Sequence, residues 1–89
     1  MRLSLTSQIG LLLNMDKFNQ IVFDIFKLPV AEIKDSLTSK DIPDWDSMNY
    51  LLFIAELEKQ FKVSFSMDEV LNADSLGAIK KMLQAKINL

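Results

Sequence analysis

The chain has 89 residues, of which 49% are hydrophobic and 25% charged, and its formal net charge is −2. This length and composition are typical of one globular domain and too apolar for a disordered chain. Cysteine and histidine are both absent, which excludes disulfide bonds, zinc–thiolate sites, thiol nucleophiles and Ser-His-Asp triads. The weak negative charge argues against a general affinity for nucleic acid, and no apolar run approaches the roughly 20 residues that span a bilayer. We therefore expect a cytoplasmic protein that is not an enzyme.

Residues 1–14 are the least regular part of the sequence. The polar run Thr6–Gln8 interrupts the apolar residues there, and a lone arginine without a small-residue cleavage site argues against a signal peptide. We expect an N-terminal extension over residues 1–14 and a folded domain over residues 15–89. A natural start at Met15 and a longer first helix beginning near Ser7 are the alternatives.

The first helix is predicted over residues 15–28. Pro29 should end it, because the residue before a proline is displaced from the helical region. Residues 29–46 then form a long connection, and such connections tend to be functional or internally packed. In the helix, apolar residues recur at helical spacing, at Phe18, Ile21, Val22 and Ile25. In the connection, three further apolar residues should hold the chain against the bundle: Ile33, Leu37 and Ile42.

The second helix is predicted over residues 47–61 and is apolar around most of its circumference. Such a helix is either enclosed by neighbours or pressed against partner proteins. On a helical wheel the polar face holds Asn49, Glu56 and Gln60, the opposite face holds Tyr50, Leu51, Ile54, Leu57 and Phe61, one flank holds Met48, Leu52 and Ala55, and the other flank holds Phe53.

Two short signals define the rest of the bundle. Ser66 and Glu69 have the spacing of a capping box, which predicts a short third helix ending near Leu71. Asp74 or Ser75 should cap a fourth helix, in which a glycine in the first turn is a mild cost. The fold class is therefore all-α, a four-helix bundle with a long first connection and a short third helix. The fourth helix should bury Leu76, Ile79, Met82, Leu83 and Ile87, and the core should contain Phe18, Ile21, Ile25, Leu51, Ile54, Leu57, Phe61, Leu76, Ile79 and Leu83.

Ser47 is the residue that best combines a chemical group with a favourable position. Three carboxylates cluster before it, at Asp41, Asp44 and Asp46, but they lack the glycine and terminal glutamate of a calcium loop, so no metal site is predicted. The start of a helix offers free backbone N–H groups and a positive dipole end, which favour a phosphate ester on a hydroxyl placed there. The simpler alternative is that this serine only caps the helix.

The residues around Ser47 resemble the attachment signature of the acyl carrier protein family. That signature is Asp-Ser-Leu ahead of an apolar helix ending in Leu-Glu-x-x-Phe; here Asp46-Ser47-Met48 follows Pro43-Asp44-Trp45 and precedes a helix ending in Leu57-Glu58-Lys59-Gln60-Phe61. The resemblance covers about residues 15–87. It implies a four-helix bundle of acyl-carrier type, with 4′-phosphopantetheine joined to Ser47 by a phosphodiester bond and Asp46 and Met48 flanking it.

The same resemblance implies the cargo. The cofactor's thiol would carry an acyl group as a thioester, in a phosphoprotein of fatty acid or polyketide biosynthesis. A D-alanyl or other aminoacyl cargo is the alternative. Without a Gly-Gly-x-Ser arrangement, peptidyl carrier domains are a poorer match, and we expect a discrete carrier. An acyl chain could enter between the second and third helices, because the third is short.

The resemblance also implies partners, namely a phosphopantetheinyl transferase, an acyl-loading ligase and acyl-processing enzymes. They would dock on one flank of the second helix, formed by Met48, Leu52, Ala55, Glu56 and Lys59. Typical members are strongly acidic along this helix, whereas this flank is largely apolar, so we expect docking with more hydrophobic and less electrostatic contact. We expect a monomer, with no nucleic acid partner and no stable membrane insertion.

Three alternatives accompany this interpretation. The chain could be an unmodified, carrier-like adaptor that uses the same flank for protein–protein interaction. Leu52 could simply pack beneath the preceding connection. Asp74-Ser75-Leu76 matches the family tripeptide more literally than the run at Ser47, but only 14 residues follow Ser75, too few for the attachment helix and two later helices, so we expect Ser75 to be a helix cap.

Overall fold

The computed structural model describes residues 16–87. The predicted N-terminal extension, residues 1–14, and the predicted helix start at Met15 lie outside the described residues. Within them the chain is helical and has no strand, which confirms the predicted all-α class. In chain order, α1 covers residues 16–26, a 3-10 helix covers Val30–Glu32, α2 covers Ser47–Phe61, α3 covers Met67–Asn72 and α4 covers Leu76–Ile87. None of the helices in this range has the length and hydropathy of a membrane span.

A left-handed residue ends α1 earlier than the proline signal predicted. The helix stops at residue 26, and Lys27 has φ 57°. Its backbone N–H donates to the Phe23 carbonyl at 2.9 Å. This is the usual way in which a helix C-terminus satisfies a free carbonyl, so the chain has already left the helix before Pro29.

The connection between α1 and α2 is built from turns that pack against the bundle. Ile42 is buried at 1% exposure, and Ile33 and Leu37 are partly buried against the core, which confirms their predicted role. The Asp41 carboxylate accepts hydrogen bonds from the backbone N–H of Thr38 at 2.9 Å and from its hydroxyl at 3.2 Å. A local turn therefore presents Ile42 to the core.

Each of the four α-helices contributes to a single hydrophobic core. Ile42 joins it from the connection, and two rings of α1, Phe18 and Phe26, pack against Phe53 of α2 with centroids 5.7 Å and 4.9 Å apart. The buried members of this core are Phe18, Ile21, Val22, Phe26, Ile42, Phe53, Ile54, Leu57, Val70, Leu76, Ile79 and Leu83.

The predicted inward face of α2 was partly wrong. Leu51, predicted to be buried, is 57% exposed, whereas Phe53, assigned to a flank, is fully buried. The reason is the position of α1, whose phenylalanine rings enclose Phe53. Ile25 and Phe61 lie at the edge of the core and are only partly buried.

The short-range signals for α3 and α4 are confirmed. Ser66 Oγ accepts from the N–H of Glu69 at 3.2 Å while the Glu69 carboxylate accepts from the N–H of Ser66 at 2.8 Å, a complete capping box. Ser75, rather than Asp74, caps α4, because Ser75 Oγ accepts from the N–H of Ala78 at 3.1 Å. In α4, Leu76, Ile79 and Leu83 are buried, with Met82 and Ile87 partly buried beside them.

Candidate functional site at the start of α2

Ser47 is the first residue of α2 and its side chain is exposed to solvent. The residue that caps the helix is Asp46, whose carboxylate accepts from the N–H of Asn49 at 2.8 Å. The alternative in which Ser47 itself caps the helix is therefore wrong. Its hydroxyl stands at a helix N-terminus without serving as the capping acceptor.

The backbone before Ser47 is fixed to the first turn of α2. The side-chain amide of Asn49 donates to the Asp44 carbonyl at 2.8 Å, and the N–H of Tyr50 donates to the Asp46 carbonyl at 2.8 Å. Asp46 itself is extended, as an N-cap residue should be. An acidic cap at this end is also favoured by the helix dipole. Ser47 is thus held in a defined position on an ordered turn.

A shallow depression opens beside Ser47. It has a volume of about 360 Å³ and is lined by Ser39, Trp45, Asp46, Ser47 and Tyr50. The Trp45 ring stacks on the core residue Phe26, with centroids 5.2 Å apart and planes inclined by 12°. Tyr50 also packs against Trp45, with the ring centroids 5.6 Å apart and the planes inclined by 31°. The wall of the depression is therefore an aromatic stack anchored in the core.

Sequence reasoning missed three residues of this depression as site residues, namely Ser39, Trp45 and Tyr50. A signal for one of them was available. Tyr50 stands three positions after Ser47, which places it beside Ser47 once a helix begins there. Trp45 precedes the helix, and its ring is positioned by stacking on Phe26.

Tyr50 connects the site to α3. Its hydroxyl donates to the Val70 carbonyl at 2.6 Å and lies 3.5 Å from the Ala73 carbonyl. Burial raises the pKa of the Tyr50 phenol, because the charged form loses solvation. The phenol therefore keeps its proton, and with it the donated hydrogen bond, at neutral pH.

The predicted docking flank of α2 is an open surface. Met48 is 73% exposed and Leu52 51% exposed, and Ala55 and Lys59 are exposed beyond them. Glu56 is partly buried and accepts from the Gln60 side-chain amide at 2.7 Å. The alternative in which Leu52 packs beneath the connection is wrong.

Two of the three carboxylates before Ser47 stabilise local structure. Asp41 stabilises the turn at Thr38 and Asp46 caps α2. Within residues 16–87 no group of three or more acidic side chains is placed to hold a metal ion.

Ser75 presents its hydroxyl very differently from Ser47. It is partly buried and already accepts the Ala78 N–H. The first backbone N–H groups of α4 already have acceptors in the connection between α1 and α2. The N–H of Leu76 donates to the Leu37 carbonyl at 3.0 Å, and the N–H of Gly77 donates to the Asp35 carbonyl at 2.8 Å. Ser75 is therefore a structural cap, as its position in the sequence predicted.

The sequence profile of the family described as "Phosphopantetheine attachment site" matches residues 16–83. The chain belongs to this family. Together with the helical fold, the match is consistent with the acyl carrier protein family, and the predicted 4′-phosphopantetheine cofactor is confirmed for the domain. Domains of this kind are modified by phosphopantetheinyl transferases, meet processing enzymes and are not catalysts themselves. Comparison with curated proteins gave no match.

The exposed hydroxyl at α2 fits such a group. A phosphodiester on Ser47 would stand at the positive end of a 15-residue helix, where the dipole stabilises negative charge. The neighbouring depression is open to solvent, and Ser39 and Asp46 are among the residues that line it.

Proposed function

We propose that the chain is an acyl carrier protein whose Ser47 hydroxyl receives 4′-phosphopantetheine. The observation that supports this proposal is that the cap of α2 and the exposed hydroxyl belong to two different residues. Asp46 accepts the capping hydrogen bond, so the adjacent Ser47 is left exposed for modification. The family match supports the type of group, and the cap geometry supports the residue.

In the attachment step Ser47 Oγ attacks the phosphorus of coenzyme A that bears the pantetheine arm. The Oγ–P bond forms as the P–O bond of the pyrophosphate breaks. 3′,5′-Adenosine bisphosphate leaves with that electron pair, and a base of the transferase or water takes the hydroxyl proton. The resulting phosphodiester anion lies at the α2 N-terminus, where free N–H groups and the dipole favour it. Asp46 adds negative charge beside the hydroxyl and helps recruit a cationic or metal-bearing transferase.

The bound group supplies the thiol that this cysteine-free chain lacks, and an acyl or aminoacyl cargo is held on it as a thioester. The chain's own residues do the rest. The turn at Asp46 fixes the attachment point, and the open flank of α2, led by Met48 and Leu52, meets the transferase, the loading ligase and the processing enzymes. We place this activity in a cytoplasmic monomer serving fatty acid or polyketide synthesis, and the chain itself catalyses nothing.

Intact-mass measurement tests the proposal. The protein is incubated with coenzyme A, Mg²⁺ and a broad-specificity transferase, then weighed. The wild type should gain the mass of one phosphopantetheine group, and Ser47→Ala should gain none. Ser75→Ala is the matched control, since Ser75 stands in the similar tripeptide, and it should be modified like the wild type.

Three results would oppose this assignment. A mass gain that persists in Ser47→Ala, or one that is lost in Ser75→Ala, would show that the cofactor is attached at a residue other than Ser47. No gain with several transferases would favour the unmodified adaptor, for which the exposed apolar flank of α2 is the supporting observation.

A further inference from the structure

Tyr50 bridges α2 and α3 beside the attachment point. The last four carbonyls of any helix lack intrahelical partners, and in the six-residue α3 one of these carbonyls belongs to Val70. The Tyr50 hydroxyl donates to it at 2.6 Å. The end of α3 is therefore tied to the first turn of α2 by a side chain three positions after Ser47.

The Tyr50 side chain also contacts both the depression at Ser47 and residues of the core. It lines the depression at Ser47 and lies against Trp45, which stacks on the buried Phe26. Its hydroxyl reaches Val70, a core residue at 7% exposure. A group entering the bundle between α2 and α3 from the Ser47 side thus meets the Tyr50 ring first.

We propose that Tyr50 determines cargo specificity by closing the α2–α3 interface (Tyr50, Val70 and Ala73) and keeping a long acyl chain out of the bundle. This inference rests on the proposed function of Ser47. Entry of an apolar chain would break the hydrogen bond to the carbonyl of the buried residue Val70, and leaving that carbonyl without a donor among apolar groups is costly. It would also displace the ring from Trp45. A short or polar cargo does not need to enter the bundle, so the closed interface favours such a cargo over a long acyl chain.

Other contacts hold α3 in place when Tyr50 is changed. The Glu69 carboxylate lies 3.0 Å from the Lys86 ammonium of α4, and the capping box fixes the start of α3. Substitution of Tyr50 should therefore open the interface without unfolding the helix.

The first experiment uses the unmodified protein. Amide hydrogen exchange is measured by NMR at Val70 and Ala73, whose N–H groups donate to the Ser66 and Glu69 carbonyls. Loss of one hydrogen bond in Tyr50→Phe should speed exchange at these amides about 2- to 10-fold. Unchanged rates would show that the phenol does not close the interface and would overturn the proposal.

The second experiment compares acetyl- and octanoyl-loaded protein. Loading is first verified by intact mass, and release by hydroxylamine is then timed. The wild type should release both acyl groups at the same rate. Tyr50→Ala should release octanoate several-fold more slowly than acetate, because the chain can now enter the bundle. In Tyr50→Leu the difference between the octanoate and acetate release rates should be smaller but in the same direction. This variant replaces the alanine variant in the experiment if the latter does not fold.

Lys86→Gln is the matched control. It removes the other tether of α3 while leaving the Tyr50 ring in place, so both acyl groups should again leave at equal rates. The proposal would be overturned if the wild type released octanoate more slowly than acetate. It would also be overturned if Tyr50→Ala and Tyr50→Leu each released the two acyl groups at equal rates. Failure of attachment at Ser47 is a separate result, since it appears as an absent mass gain before any release is measured.

Discussion

The backbone N–H of Gly77 donates to the carbonyl of Asp35 at 2.8 Å, and a Cβ on Gly77 would lie 2.9 Å from that same oxygen. The connection between α1 and α2 thereby covers the N-terminus of α4. An ion pair between Asp35 and Lys80, 2.7 Å apart, reinforces the contact. A glycine that the sequence presents only as a mild cost to the helix is what permits the two backbones to approach.

Gly77→Ala should therefore destabilise the fold. The added methyl meets backbone atoms of Asp35, and such overpacking costs about 1–3 kcal/mol, partly offset by a helix-propensity gain of at most about 1 kcal/mol. We expect a net loss of about 1 kcal/mol in the free energy of unfolding, measured with urea. Lys81→Ala, at an exposed position of the same helix, should change it by less than about 0.5 kcal/mol. An alanine variant at least as stable as the wild type would contradict the steric argument.

Asp46 should affect the stability of the fold through its hydrogen bond and the rate of modification at Ser47 through its charge. Asp46→Ala removes the acceptor for the Asn49 N–H and should cost about 1 kcal/mol of stability. Asp46→Asn keeps an acceptor and should preserve stability, and it should slow modification by less than about twofold, because Asp46 adds one charge beside a mainly apolar docking surface. Thermal unfolding and the rate of mass gain separate the two effects. Equal destabilisation by both variants would argue against the cap.

The sequence predicted the parts of the fold that depend on neighbouring residues. The capping box of Ser66 and Glu69 and the cap at Ser75 involve residues three positions apart, so spacing alone was sufficient. The start of α2 at residue 47 was predicted as well, but the exposure of Ser47 depends on packing, since Leu76, the first residue of α4, is fully buried.

The inward face of α2 was not predictable in this way. Apolar groups surround most of this helix, so the pattern does not distinguish Leu51 from Phe53, and the choice depends on where the rings of α1 lie. The contact between Tyr50 and Val70 joins residues 20 positions apart and is likewise set by packing. The ring packing of Phe26, Trp45 and Tyr50 that forms the wall of the depression therefore became visible only in the folded chain.

Glu69 should make stability sensitive to acid. Its pKa is lowered, first by the hydrogen bond from the Ser66 backbone and then by the hydrogen bond with Lys86. A carboxyl whose pKa is lower in the folded than in the unfolded chain stabilises the fold above its ordinary pKa of 4.5, and this stabilisation is lost as pH falls through the lowered value. We expect unfolding temperature to fall over that window in the wild type.

Glu69→Gln tests this dependence because it keeps the capping-box acceptor but cannot titrate. The acid-side slope of unfolding temperature against pH should flatten in this variant. Lys86→Met should flatten it less, since the backbone hydrogen bond, the larger cause, remains. The titration argument fails if the glutamine variant keeps the wild-type slope.

The apolar flank of α2 should recognise the transferase mainly by burial. Leu52→Glu places a carboxylate in that contact, and desolvating it should lower kcat/KM for modification at least about tenfold. Val30→Glu is matched in exposure, at 50% against 51%, but lies outside α2, so it should leave the rate unchanged. Both variants should unfold within about 0.5 kcal/mol of the wild type, because both positions are exposed.

Salt distinguishes this mode of docking from an electrostatic one. Apolar contact is hardly screened, whereas attraction between exposed charges weakens strongly as ionic strength rises. The wild-type rate of modification should therefore change little between low salt and about 0.5 M NaCl. A steep loss of rate over that range would assign recognition to exposed charges such as Asp46 and Lys59, and the Leu52→Glu effect should then be small as well.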